Sequence, residues 1–160
     1  MRGGYTLRLQ QPNSSQCFVC GVDNAFGLKL KFYETGPGEV TSELMIADRY
    51  QGYPGVVHGG IVAAILDEAA GRSHMNGNPP RFMYTARLEI RYRQNVPVGR
   101  PLRLVGRAGK NKVRVATAKS AIYASDGTLL AEAEALLIDV PESMLSGVNL
   151  EELGWKVYPD

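Results

Sequence analysis

The segment Val56–Gly71, "VVHGGIVAAILDEAAG", concentrates the residue types that could do chemistry. His58, one of only two histidines, stands directly before Gly59 and Gly60. The apolar, proline-free run that follows reads as a helix, and it carries two consecutive carboxylates, Asp67 and Glu68. The first N–H groups of a helix have no internal partners and bear partial positive charge. Glycine there lets a ligand approach the bare backbone. That arrangement suits an oxyanion, such as the tetrahedral oxygen of an attacked ester or thioester. Asp67, about two turns along, is partly withdrawn from water and is competent as a general base or a nucleophile. Consecutive helical residues point about 100° apart, so Glu68 cannot share its face. Glu68 is expected to be a solvated or interface charge. His58 could hydrogen-bond a carbonyl or orient the loop. A tight turn with a satisfied structural histidine is the plainer alternative.

The rest of the chain must position this segment. Its 160 residues suit one domain with a sizeable core. With 44% hydrophobic and 21% charged residues, the composition is that of an ordinary globular protein. The net charge of +2, without a dense Lys/Arg block, gives no reason to expect nucleic acid. No apolar run reaches the length of a membrane span, and the N-terminal residues lack the apolar core of a signal peptide. The cytoplasm is the expected compartment. Cys17 and Cys20 are the only cysteines, too few for a disulfide framework. Zinc needs about four ligands, and beyond "CFVC" only His58, His74 and carboxylates remain. A redox pair would want a surrounding βαβ pattern, which is missing. Two semi-buried thiols in a turn are expected, with no metal.

Periodicity supplies the elements. "LKLKFYET" and "EVTSELMIA" alternate as half-buried strands do, and "GPG" joins them. The loop "DRYQGYPGVVHGG" leads into the helix "GIVAAILDEAAGRSHM", which "GNPP" ends. Four more strands follow in "RFMYTARLEIRYRQ", "RPLRLVGRAGK", "KVRVATAKSAIYAS" and "TLLAEAEALLIDV", with "KNK" and "SDGT" as hairpin connections. "AEAEALL" suits a helix by propensity, but its alternation after a "DG" turn favours strand. This order makes an α+β fold, a sheet packed on one helix. Such a helix, apolar nearly all round, belongs in a core, and pairing of two copies would cover what the sheet leaves bare. The expected division is an arm over residues 1–16, a domain over 17–140 and a C-terminal extension over 141–160.

"HGGIVAAILD", together with "CFVCGVDNAFGLKLKFY", "YQGYPGVVHGG" and "TARLEIRYRQNVPVGRPL", resembles the hotdog-fold thioesterase superfamily, in particular its PaaI-like acyl-CoA thioesterase branch. The resemblance spans roughly residues 17–140. It implies an antiparallel sheet of about five to six strands wrapped around one long central helix, paired as a homodimer or a dimer of dimers. It also implies hydrolysis of an acyl-CoA thioester, aromatic or fatty, with no cofactor. By the same resemblance, the N–H of Gly59 would polarise the carbonyl, and Asp67 from across the dimer interface would activate water or attack directly. His58 would hold the carbonyl or the loop. Thr85 falls where relatives place a Ser or Thr that positions water or the carboxylate, although a strand-start hydroxyl bonded locally is the equal alternative. Some relatives carry an Asn where this chain has Gly52, and the adjacent Gln51 could partner the water instead. Gly60 would line the substrate site. Coenzyme A carries phosphates, so Arg107, Lys110 and Lys112 are candidate contacts, with an ordinary solvated hairpin as the alternative.

A non-catalytic acyl-CoA-binding hotdog module is the main rival. Ligand sensors of this kind usually carry a DNA-binding element, for which the arm has no room. A hotdog dehydratase would expect a different His/Asp layout.

Overall fold

The computed structural model describes residues 8–77 and 79–160; residues 1–7 of the expected arm, and Asn78, lie outside the described residues. Three strands, β1 (Leu9–Gln10), β2 (Tyr33–Gly36) and β3 (Glu39–Leu44), precede the helix α1 (Gly59–Arg72). Four long strands follow: β4 (Met83–Tyr92), β5 (Leu102–Asn111), β6 (Val115–Ala124) and β7 (Leu129–Asp139). A four-residue helix, α2 (Glu142–Leu145), begins the tail. All seven strands form one antiparallel sheet in the order β1-β2-β3-β5-β6-β7-β4, and α1 packs across it. The sheet has one strand more than expected from sequence, because Leu9–Gln10 pairs with Tyr33–Glu34 at one edge.

The alternating pattern of "AEAEALL" decides its structure over helical propensity. Ala131, Ala133, Ala135 and Leu137 are buried toward the helix, while Glu132 and Glu134 face outward. Ala116, Ala118, Ser120 and Ile122 do the same on β6. Small residues on these strands let α1 lie close to the sheet. At Gly106 on β5 the approach is so tight that a Cβ would collide with the Ala69 carbonyl. From the helix, Val62, Ile65, Leu66 and Ala69 fill the space above Phe32, Leu104 and Ile122. This is one stripe at i, i+3, i+4 and i+7. Truncating Leu66, which has no exposed surface, to Ala would cost about 2–5 kcal/mol. The Ser120 hydroxyl donates to the Leu66 carbonyl (2.8 Å), tying sheet to helix in mid-span. His74, just beyond the helix, is buried with its Nε2 2.8 Å from the Thr117 carbonyl, and so anchors the helix end.

One expected strand is shorter than its alternation suggests. Leu28–Phe32 runs outside the ladder, and β2 begins only at Tyr33. The reason lies in its hydrogen bonds. The Leu28 and Leu30 N–H groups donate to the carbonyls of Phe18 and Val19 in the cysteine turn, and Lys29 between them has a φ of 54°. Asn13 and the segment around Lys156 pack on this region. Asn13 is fully buried, and its Nδ2 donates to the carbonyls of Cys20 (2.7 Å) and Leu30 (2.8 Å). Its backbone bridges Lys156, and Trp155 packs edge-on against Phe82 at 5.4 Å. Among the described residues no helix is long and apolar enough to cross a membrane.

Candidate active site

The loop that precedes α1 is built to present the start of the helix. The His58 N–H donates to the Tyr50 carbonyl (2.9 Å), and that of Val57 to the Val96 carbonyl (2.8 Å), which fixes the entry of the chain. His58 is the N-cap, its Nδ1 accepting the Gly60 N–H at 2.9 Å. A neutral His58 therefore carries its proton on Nε2. The Gly60 N–H is thus occupied by the loop's own histidine. The Gly59 N–H donates to no described residue, and it is the free donor at the positive end of α1. Tyr92, at the end of β4, donates its hydroxyl to the Gly59 carbonyl at 2.7 Å and so steadies the peptide beside that donor.

A groove of about 570 Å³ opens here, with His58, Gly59, Tyr53, Tyr92, Arg93 and Val96 on its walls. That volume suits a small-molecule site. Gln51 is adjacent and exposed, and its Oε1 accepts the Gly55 N–H (3.2 Å), so it braces the loop. At position 52, a Cβ would lie 3.3 Å from His58 Cα, which leaves little space for a larger residue behind the histidine. Tyr92 and Tyr53 were not singled out from sequence. Tyr92 continues the Leu88, Ile90, Tyr92 alternation, so its position on the helix-facing side of β4 was readable.

Asp67 lies elsewhere on the same helix. It is half-buried, and its Oδ1 accepts the Thr85 hydroxyl at 2.5 Å. Thr85 sits at a bulge in the β4–β7 ladder, where the register shifts between Thr85 and Arg87. A bulge re-aims the side chains around it. No cation among the described residues pairs with Asp67. Eight residues at about 1.5 Å each separate Gly59 from Asp67, so free donor and carboxylate stand about 12 Å apart along the axis.

Glu68 corrects the expectation of a solvated charge. Its Oε1 accepts from Arg72 Nε at 2.8 Å, one turn on, and the Arg72 side chain is 1% exposed. The guanidinium stacks 4.5 Å above Phe32 and 5.5 Å from Trp155, and its Nη1 donates to the Pro12 carbonyl (2.8 Å). Burial pushes the Glu68 carboxyl up, against the pull of Arg72. Cys17 and Cys20 face the same carboxylate. A hydrogen bond between the thiols, aided by Arg72, brings Cys20 down to about 5, while that bond, burial and Glu68 push Cys17 up.

The cationic candidates form a third location. Arg107 is paired with Glu39 at 2.9 Å across β5 and β3, while Lys110 and Lys112 are exposed at the β5–β6 hairpin. None of the three lines the groove at Gly59.

Comparison with known proteins now adds to this geometry. Residues 54–131 match the family model described as thioesterase superfamily. No curated protein sequence matches the chain. Among solved structures, a thioesterase superfamily protein aligns with 31% identity and a TM-score of 0.70, over 77% of this chain and 60% of its own. The chain thus spans 60% of that relative's length, less than two thirds. A thioesterase superfamily protein from Shewanella loihica aligns with 28% identity and a TM-score of 0.58, over 70% of this chain and 91% of its own. A Streptococcus mutans protein bound to acetyl CoA shares the fold at 17% identity and a TM-score of 0.63, over 69% and 88%. The matched segment carries the glycine pair, α1, Asp67 and the β4–β6 framework, and in sequence and fold the chain is similar to the thioesterase superfamily.

Proposed function

We propose that the protein hydrolyses the thioester of an acyl-coenzyme A, aromatic or fatty, as a homodimer with two shared sites. The observation that carries this reading is the separation of its two chemical parts. One thioester carbon must meet both an oxyanion donor and a carboxylate or its water, at about 3 Å from each. Within one chain the Gly59 N–H and Asp67 are about 12 Å apart along α1.

Both groups border β4, a ten-residue strand with one unpaired edge. Tyr92 and Gly59 are at its C-terminal end, Thr85 and Asp67 near its start. Antiparallel pairing of β4 with a second copy, centred on Glu89, keeps the helix-facing residues of both chains on one side, and the bulge then sets Thr85 of one chain opposite Tyr92 of the other. That brings the partner's Asp67 toward this chain's Gly59, and it removes an exposed edge. Dimers could pair further into a dimer of dimers.

In this arrangement the Gly59 N–H stabilises the carbonyl oxygen as it gains charge, and His58 holds the loop that aims it. Asp67 takes a proton from water as the water oxygen bonds to the carbonyl carbon, or attacks that carbon itself. The C–S bond then breaks and the thiolate of coenzyme A departs and is protonated; where water attacked, the acid is released at once, and where Asp67 attacked, water first cleaves the acyl–Asp67 anhydride, freeing the acid and the Asp67 carboxylate. Thr85 orients Asp67. The fold accommodates such a ligand in the Streptococcus mutans neighbour, which binds acetyl CoA. This substrate class is intracellular, in keeping with the cytoplasm.

The test is release of free thiol from a panel running from acetyl through phenylacetyl and benzoyl to palmitoyl-CoA, with oligomeric state measured by light scattering. Turnover by a dimer or tetramer supports the reading. Saturable acyl-CoA binding without turnover would establish the binding module instead, and full turnover by a monomer would refute the shared site.

A further inference from the structure

Cys17, Cys20 and Glu68 form a group of ligands that thioester hydrolysis does not use. Their sulfurs and a carboxylate oxygen all lie within 4.8 Å of one another. The turn that carries the thiols is tightly held. The Gly21 N–H donates to the Cys17 carbonyl (2.7 Å), the Cys17 N–H to the Ser14 hydroxyl (3.2 Å), and the Cys20 N–H to Cys17 Sγ (3.5 Å). Asn13 fixes the Cys20 carbonyl from the other side. Glu68 arrives from α1, its Oε1 held by Arg72.

We propose that these three residues bind one borderline-soft divalent cation of the zinc class, through two thiolates and a carboxylate, with the fourth position open to water. Thiolates select such metals, whereas magnesium and calcium prefer all-oxygen sites. Metal–sulfur bonds of about 2.3 Å and metal–oxygen bonds of about 2.0–2.2 Å in a tetrahedron need ligand atoms roughly 3.5–3.8 Å apart. The cluster needs to close by only about 1 Å to meet that, well within side-chain rotation. Charge also balances. A doubly charged ion with two thiolates and a carboxylate leaves one negative charge, which faces the buried Arg72 guanidinium. Each thiol gives its proton to solvent on binding. The half-buried Cys17 and Glu68 leave a way in.

The ion would pin the N-terminal turn to the helix, on a different face of α1 from Asp67, and takes no part in hydrolysis. A dithiol–disulfide couple is the competing chemistry. It gives no role to the carboxylate, and Cys20, at 2% exposure, is poorly placed to reach an external disulfide.

Titration of the reduced, full-length protein tests the site, with Cd²⁺ followed by thiolate-to-metal absorption and Zn²⁺ by competition with a chromogenic chelator. One ion per chain is expected, with the absorption lost in both Cys17→Ser and Cys20→Ser. Glu68→Gln keeps both thiols and should weaken Zn²⁺ binding ~10-fold or more. Excess Zn²⁺, but not Mg²⁺, should raise the melting temperature of the wild type and leave that of Cys17→Ser unchanged, which separates binding from misfolding. Absence of a one-ion endpoint would overturn the proposal, as would unchanged affinity in Glu68→Gln. So would a pair that closes to a disulfide in oxidised glutathione and shows no metal affinity when reduced.

Discussion

Asp67 and Glu68 are neighbours on one helix with the same charge, yet they meet opposite surroundings. Asp67 looks toward the open edge of the sheet, where it accepts the neutral Thr85 hydroxyl and, among the described residues, pairs with no cation. Glu68 looks toward the cysteine turn, where a buried guanidinium, itself clamped by Phe32, Trp155 and the Pro12 carbonyl, holds it in place. A carboxylate clamped by a buried guanidinium is held on the cysteine-turn face, away from the open edge. One that leans on a hydroxyl at an edge can take a proton or attack. Helical phase, about 100° per residue, therefore separates a group placed for chemistry from one placed for structure.

The largest effect expected from breaking this contrast is on turnover. Asp67→Asn should lower acyl-CoA hydrolysis by ~100-fold or more, as removal of a general base or nucleophile does, with acyl-CoA affinity nearly unchanged. Glu68→Gln should stay within about threefold of wild type, less than 1 kcal/mol in barrier. Steady-state kinetics on the two proteins side by side decide the matter. If Glu68→Gln were the dead enzyme, the assignment of the two faces would be reversed.

The next effect is on stability and belongs to the other face. Arg72→Ala leaves Glu68 partly buried beside two thiols without its counter-charge, which should cost about 3–5 kcal/mol in denaturant unfolding. Pairing Glu68→Gln with Arg72→Met removes both charges and should restore much of that loss. A loss as large in the double variant as in Arg72→Ala would mean that packing on Phe32 and Trp155, not charge, is what Arg72 supplies.

Thr85 sharpens the Asp67 side. A hydrogen bond to a charged group is worth about 1.5–3 kcal/mol, so Thr85→Val should lower kcat by roughly 10-fold or more. Thr85 is a positioning residue, so KM should change little and Thr85→Ser should recover most of the rate. A loss in Thr85→Ser with none in Thr85→Val would show that the methyl, not the hydroxyl, matters at the bulge.

The two faces were unequally readable from sequence. The helix and the four strands after it follow from local pattern, because an apolar proline-free run and strict alternation leave few other solutions. The different orientation of Asp67 and Glu68 follows from phase alone. What lies around Glu68 does not. Its salt-bridge partner was in plain view four residues on, a spacing that favours pairing. The burial of that partner, Arg72, however, depends on Phe32, Pro12 and Trp155, which are distant from it in sequence. Leu28–Phe32 misled for the same reason, since its backbone partners are in the cysteine turn rather than in a strand. Likewise, Leu9–Gln10 joins the sheet only through the register of β2. Contacts distant in sequence were the common element in each.

Glu39 and Arg107 give the buried pair an exposed counterpart, and the smallest expected effect. The Thr35 hydroxyl, 2.8 Å from Glu39, holds that carboxyl below its usual range, with Arg107 adding to the effect. A depressed carboxyl contributes stability above its unfolded value and loses it as pH falls through the folded one. Arg107→Ala should therefore lower stability by less than about 1 kcal/mol at neutral pH, since exposed pairs are screened. The difference from wild type should shrink in high salt and disappear in acid, below the range where Glu39 titrates. Melting curves across pH and salt measure this directly, and kinetics on the same variant test the other role open to Arg107. A guanidinium that holds a phosphate of coenzyme A would raise KM for acyl-CoA when removed, whereas one that serves only Glu39 would leave KM alone. The pair's place across β3 and β5, away from the groove at Gly59, favours the second outcome.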